Sequence, residues 1–260
     1  MAADPALLAE ARRDVREDYL SALFAPAEAR DALLALALFS RELSTIRDRA
    51  RNRPAAEIRL QWWLDVLAGE RDTEAAGLPL ARSLLECIRR HALPASALDR
   101  MVDAWREDLD DAAFATATDL ERWLGHTAGA RLQLSVLVLC PEAAGALADL
   151  SGHAGCAIGI ADMLRSRPRQ MAKRAPMQEP GQPEDDAVAA LADLGLDHVS
   201  RFRTLAAGMP ARARPAFLAI EPAQKFLRRV AMAPETAFAP QNPASLVTIA
   251  AMTLRALRGW

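Results

Sequence analysis

Residues Ala32–Leu67, ALLALALFSRELSTIRDRARNRPAAEIRLQWWLDVL, decide the fold class. Leu36, Phe39, Leu43 and Ile46 recur at steps of three and four, the spacing of a helix that buries one face. Arg41, Ser44, Thr45 and Asp48 fall together on another face of the same helix. Pro54 interrupts the pattern and suits the start of a second helix. On that helix Glu57, Gln61 and Asp65 form a polar stripe, while Ile58, Trp62, Trp63, Val66 and Leu67 cover most of the rest. Arg59 stands amid the apolar side, where an unpaired charge is costly. Glu42 and Asp48 are the carboxylates nearest in sequence that can pair with it. The helix pair is therefore expected to carry a site.

The same helical reading extends along the chain. Helices are predicted near 4–18, 27–51, 55–69, 78–92, 95–111, 118–139, 142–166, 184–207, 212–232 and 243–258. Pro94, Pro141, Pro183 and Pro243 stand near helix starts, where a missing N–H costs nothing. Thr118 or Asp119 is expected to cap the sixth helix, with Glu121 close behind. There is one tyrosine, and no run alternates β-branched residues as a strand would. The expectation is an all-α, single-domain bundle of about ten helices spanning 1–260, without repeats or a domain linker. Thr127–Leu139 is apolar nearly all round and should lie at the centre. Gly152, Gly155 and Gly159 in the next helix each weaken it by about 1 kcal/mol relative to alanine. They permit close helix approach or leave room for a ligand. Arg167–Pro183, RPRQMAKRAPMQEPGQP, reads as a long irregular loop, and Ala233–Pro243 as a second loose stretch.

Composition narrows the function. Of the 260 residues, 52% are hydrophobic, which excludes a disordered chain. No apolar run reaches the ~18 residues needed to cross a bilayer. A net charge of −2 argues against general nucleic-acid binding. Cys87, Cys140 and Cys156 lack metal-ligand spacing and read as buried free thiols of a reducing compartment. The N-terminus has no apolar signal core and carries Asp4, Glu10, Asp14, Glu17 and Asp18, so no leader is expected and the location reads as cytoplasmic.

Several motifs together resemble the squalene/phytoene synthase family: DYLSALFAPAEARDALLALALFSREL from Asp18, EIRLQWWLDVL, HTAGARL, and AGCAIGIADMLRS followed by a proline-containing loop. The resemblance covers the chain from about Asp18 to its last helix. It implies an isoprenoid synthase-like bundle around a central cavity, in which two prenyl diphosphates condense head to head. Such chemistry uses two acid-rich motifs on facing helices to hold Mg²⁺, a hard cation that requires charged oxygen ligands. The first family motif is Asp-Asp-x-x-Asp after Phe-x-Arg. Here Phe39 and Arg41 are followed by Ser44, Thr45, Ile46, Arg47 and Asp48, and only Asp48 keeps a carboxylate. The second is Arg-Asp-x-x-x-Asp. Arg165 is kept, but Ser166 and Gln170 stand where the aspartates belong.

These departures resemble a branch of the family, the respiratory complex I assembly factor 6 group. The resemblance rests on Phe39–Asp48, Ile58–Trp63, Leu164–Pro168 with Ala175–Met177, Arg214–Leu218 and Lys225–Arg229. It implies the fold without a full set of catalytic aspartates, and a role in building NADH:quinone oxidoreductase. The expected cavity or ligand-binding residues are Arg41, Glu42, Ser44, Thr45, Asp48, Arg59, Trp62, Trp63, His126, Asp162 and Arg165. Arg167, Arg169, Lys173 and Arg174 crowd the second motif and would repel Mg²⁺ while binding a partner or an anion directly. The acidic run Glu107–Asp111 reads as a solvated helix end. His91, His126, His153 and His198 show no metal-ligand spacing and read as structural, with His126 bordering the cavity.

The reading is a non-catalytic, synthase-like assembly or accessory factor, with no cofactor or metal. Its expected partners are respiratory complex subunits or a membrane surface, which would make it peripheral to the inner membrane, and its ligand an isoprenoid or lipid. The alternative is an active prenyl transferase, for which Glu42, Asp48 and Asp162 would have to bind Mg²⁺ in an altered arrangement. A third reading is an interaction module with a filled core.

Overall fold

A computed structural model describes residues 4–110, 112–176, 183–239 and 246–260. Fourteen α-helices occupy the described residues, with no strand among them. They are α1 (Pro5–Asp14), α2 (Arg16–Ala22), α3 (Ala27–Arg49), α4 (Arg53–Leu67), α5 (Asp72–Ala76), α6 (Pro79–His91) and α7 (Ala95–Glu107). Then follow α8 (Ala117–Leu124), α9 (Ala130–Leu139), α10 (Ala148–Ser166), α11 (Pro168–Arg174), α12 (Glu184–Leu205), α13 (Ile220–Met232) and α14 (Leu246–Arg258).

Helix α10 is the central post. It packs against α8, α9, α12 and α13 and is buried from Leu150 to Leu164 on most sides. The apolar half of α3, Ala32–Phe39, lies across α6 and α9 and is buried throughout. As its composition requires, α9 sits between α3 and α10, with Leu132, Leu134, Val136 and Leu139 all enclosed. Two of the three glycines of α10 allow close approach. A Cβ on Gly155 would fall onto the backbone of Gly129, and one on Gly159 would stand 2.6 Å from Leu124 Cδ2. Gly152 faces open space instead.

Some boundaries differ from expectation. The first helix breaks at Val15, whose non-helical backbone (φ −134°, ψ 50°) ends α1 and re-aims α2. No proline or glycine marks that break. The sixth predicted helix is α8 and α9 joined through a π-helical turn, Gly125–Gly129, over the HTAGARL motif. Its cap is Thr116, not Thr118 or Asp119. Thr116 accepts from the Asp119 backbone N–H, and the Asp119 carboxylate accepts from Thr116 N–H, completing a capping box. The predicted Arg167–Pro183 loop begins as helix α11, because Pro168 occupies the first turn, where proline is favoured. Its remainder at 177–182 lies outside the described residues, as do Asp111 and the predicted helix start at Pro243. Likewise the start of the predicted 212–232 helix winds as a 3-10 helix, Ala211–Phe217, containing Pro215, and α13 begins at Ile220.

Candidate functional site

A cavity of about 850 Å³ opens among α2, α3, α8, α10, α13 and the π-turn. Its apolar wall includes Ala37, Trp123, Leu124, Ile158, Met163 and Phe226. Its polar lining carries eight cationic side chains against five carboxylates: Asp14, Glu17, Asp18, Asp48 and Asp162. The break at Val15 brings Glu17 and Asp18 here, since both sit in the first turn of the re-aimed α2.

Most of these carboxylates are engaged. Buried Arg131 donates to Asp18 at 2.6 Å. Arg165, kept from the second motif, donates to Glu17 at 3.1 Å and to Asp162 at 3.2 Å. Its other nitrogen donates to the Pro222 carbonyl, and its guanidinium lies 4.7 Å from the centre of the Phe226 ring. Asp14 pairs with its neighbour Arg13. Burial pushes the Glu17 carboxyl up to about 7, only partly offset by Arg165. Asp162 lines the cavity with its side chain 57% exposed. That space is walled by protein, and this enclosure raises its pKa despite Arg165.

Of the residues expected at the site, the structure brings together Arg41, Ser44, Asp48, Asp162 and Arg165. It does not bring Glu42, Thr45, Arg59, Trp62, Trp63 or His126 into the lining, and α4 contributes nothing to it. The pairing of Arg59 with Glu42 is as the sequence suggested, at 2.7 Å, but it lies on the outer α3–α4 junction with Arg59 43% exposed. Arg59 stacks over Trp62, whose indole N–H donates to Glu74, while Trp63 is buried against Phe39. His126 is exposed. The hydroxyls of Ser44, Thr45 and Ser166 donate back to carbonyls of their own helices.

The basic loop also divides. Arg167 and Arg174 are buried and both donate to Asp108, itself 1% exposed. Asp108 is thus no solvated helix end; it anchors α11 to the end of α7, and Arg47 donates to its carbonyl. Arg174 also donates to Ala112 O, and its own carbonyl accepts from Phe114 N. Only Arg169 and Lys173 of the four face solvent. Sequence reading missed Arg131, Glu17 and Asp18 as site residues. The available signals were Asp18, which opens one quoted family motif, and Arg131, which stands in another, HTAGARL. It also left apart Glu121, His153 and His198, which form a hydrogen-bonded chain: His153 and His198 meet through their Nδ1 atoms at 2.9 Å, and His198 Nε2 lies 3.0 Å from Glu121.

The residues present do not fit the paired Mg²⁺ sites of a synthase. Asp18, Glu17 and Asp162 are occupied by arginines, and Glu17 is poised to be protonated near neutrality. The first motif keeps Asp48 but has Ser44 and Thr45 where charged oxygens would be needed, and the second has Ser166, with Gln170 beyond it on α11. By contrast, Arg16 and Arg41 line the cavity with no salt bridge to a carboxylate among the described residues, although Asp14 and Asp162 lie near enough to Arg41 to feel its charge.

An all-α bundle with a charged, apolar-walled cavity between facing helices defines an isoprenoid synthase-like protein. The squalene/phytoene synthase family model matches residues 11–177, and the chain belongs to that family. Two curated relatives are the NADH dehydrogenase (ubiquinone) complex I assembly factor 6 proteins of Mus musculus and Homo sapiens. Each is 27% identical, over 237 and 240 residues respectively, covering 82% of this chain and 69% of the relative. Among solved structures, squalene synthase HpnC from Alicyclobacillus acidocaldarius superposes with a TM-score of 0.66 at 20% identity, covering 91% of this chain and 94% of that one. A dehydrosqualene synthase in complex with ligand superposes at 0.72 and 14% identity, over 97% and 94%.

Proposed function

We propose that this protein is a non-catalytic member of the family, an assembly or accessory factor of the respiratory complex I type. Its cavity holds an isoprenoid or lipid with an anionic head through arginine rather than through Mg²⁺. One observation carries the reading. The cavity's acidic residues are largely tied to arginines, whereas Arg16 and Arg41 remain to meet an anion directly. The apolar wall of Ile158, Met163, Phe226 and Trp123 suits a hydrocarbon tail. The relatives named as complex I assembly factors support the cellular role.

Deleting the gene in its host should lower the amount of assembled NADH:quinone oxidoreductase, read on native gels. Re-expression of the wild type or of Asp48→Asn should restore it equally. Restoration by the wild type alone would instead favour the prenyl transferase, which depends on its last motif aspartate.

A further inference from the structure

Helix α14 turns an apolar face outward. On a 100° helical wheel Leu246, Val247, Ala250, Leu254 and Leu257 share one arc, and all five are exposed. Leu246 is 84% and Leu257 72% exposed, and Met232 at the end of α13 is 82% exposed. Ordinary solvent faces scatter single apolar residues among polar ones; this face has none of the polar kind. From Leu246 to Leu257 it runs about 17 Å. No helix among the described residues is long and apolar enough to cross a membrane.

The neighbouring face is cationic. The exposed residues of α13 are Lys225, Arg228, Arg229 and Met232. Between α13 and α14 these cations, with Arg203 and Arg255, line a groove of about 500 Å³ whose only carboxylate among the described residues is Glu221. Glu221 is already shared by Arg203, Arg255 and the Trp260 indole N–H. So a chain of net charge −2 concentrates positive charge beside its exposed leucine face. Lys225, Arg229 and Thr248 line both this groove and the central cavity.

We propose that the α13–α14 face docks on an anionic phospholipid bilayer, with the α14 leucines entering the interface and the exposed Arg228 of α13 meeting the headgroups. An aliphatic stripe edged by lysine and arginine is the pattern of a helix lying in the membrane plane. A protein-binding hot spot would instead be expected to carry aromatic anchors, and this stripe has none. Docked this way, the cavity opens beside the bilayer, where an isoprenoid or lipid resides. The proposal does not depend on the cavity's ligand, because membrane docking is measured on protein without one.

The test is flotation of the full chain with vesicles of phosphatidylcholine alone, and with vesicles in which a quarter of it is replaced by phosphatidylglycerol. The protein should float with the anionic vesicles and not with the neutral ones, and should be released as salt rises from about 0.1 to 0.5 M. Leu254→Glu with Leu257→Glu should abolish flotation with unchanged circular dichroism. Arg228→Glu should weaken it by about tenfold or more. Equal flotation with both vesicle types, no flotation, or flotation unaffected by both variants would overturn the proposal. So would a dimer in light scattering that the leucine variant dissolves, since the face would then belong to a second copy.

Discussion

Asp108 and Glu17 show how burial changes the meaning of a charged residue. Asp108 belongs to the run WREDLDDAA, which reads as a solvated helix end, yet it holds Arg167 and Arg174 inside the fold. Its partners lie about sixty residues away in sequence, so no local spacing could have announced them. The Arg59–Glu42 pair was legible because both residues lie in adjacent helices, but its exposure was not. Asp108→Asn leaves two buried guanidinium groups with half a partner. Urea unfolding should show a loss of about 3–5 kcal/mol. Glu17 gives the pH-dependent case. Burial raises its folded pKa to about 7 from an ordinary carboxylate value, so the folded state holds an extra proton between about 4.5 and 7. The stability Glu17 contributes is full below that window and is lost as pH rises through it. Melting temperatures of wild type minus Glu17→Gln should therefore fall from pH 4.5 to 7.5. A difference that rises with pH would contradict the assignment.

At the scale of elements, the hydrophobic periodicity of α3 and the all-apolar α9 were readable, because burial on one or all sides imposes that pattern. The break at Val15 and the π-turn at Gly125–Gly129 were not. Neither carries a proline; the break at Val15 leaves Glu17 and Asp18 lining the cavity, and the π-turn packs against α10. Helix α11 was hidden because Arg167–Pro183 read as one irregular loop, whereas Pro168 is a first-turn residue. The glycines of α10 make the packing testable. Gly155→Ala would drive a Cβ into the backbone of Gly129, which cannot rotate aside, and should cost about 2 kcal/mol or more. Gly152→Ala meets nothing and should stabilise the helix by about 0.5–1 kcal/mol. Thermal unfolding of the two variants should move in opposite directions.

For the whole molecule, the fold was legible from motifs spread along the chain, and the family match and solved structures bear it out. The composition of the cavity was legible only in part. Arg41, Ser44, Asp48, Asp162 and Arg165 come from the two acid-rich motif regions, whereas the pairing of Asp18 with Arg131, though both lie in matched motifs, joins residues 113 apart. That contact ties a cavity carboxylate to a buried arginine, and the proposed metal-free reading rests on pairs of this kind. The central claim is a cavity that binds an anionic isoprenoid without metal and does not turn it over. Its most direct test is titration with farnesyl diphosphate, with and without Mg²⁺, while released diphosphate is followed. The account predicts saturable binding of equal strength in both conditions and no diphosphate release. Binding strengthened by Mg²⁺ together with diphosphate release would contradict it and identify a working synthase.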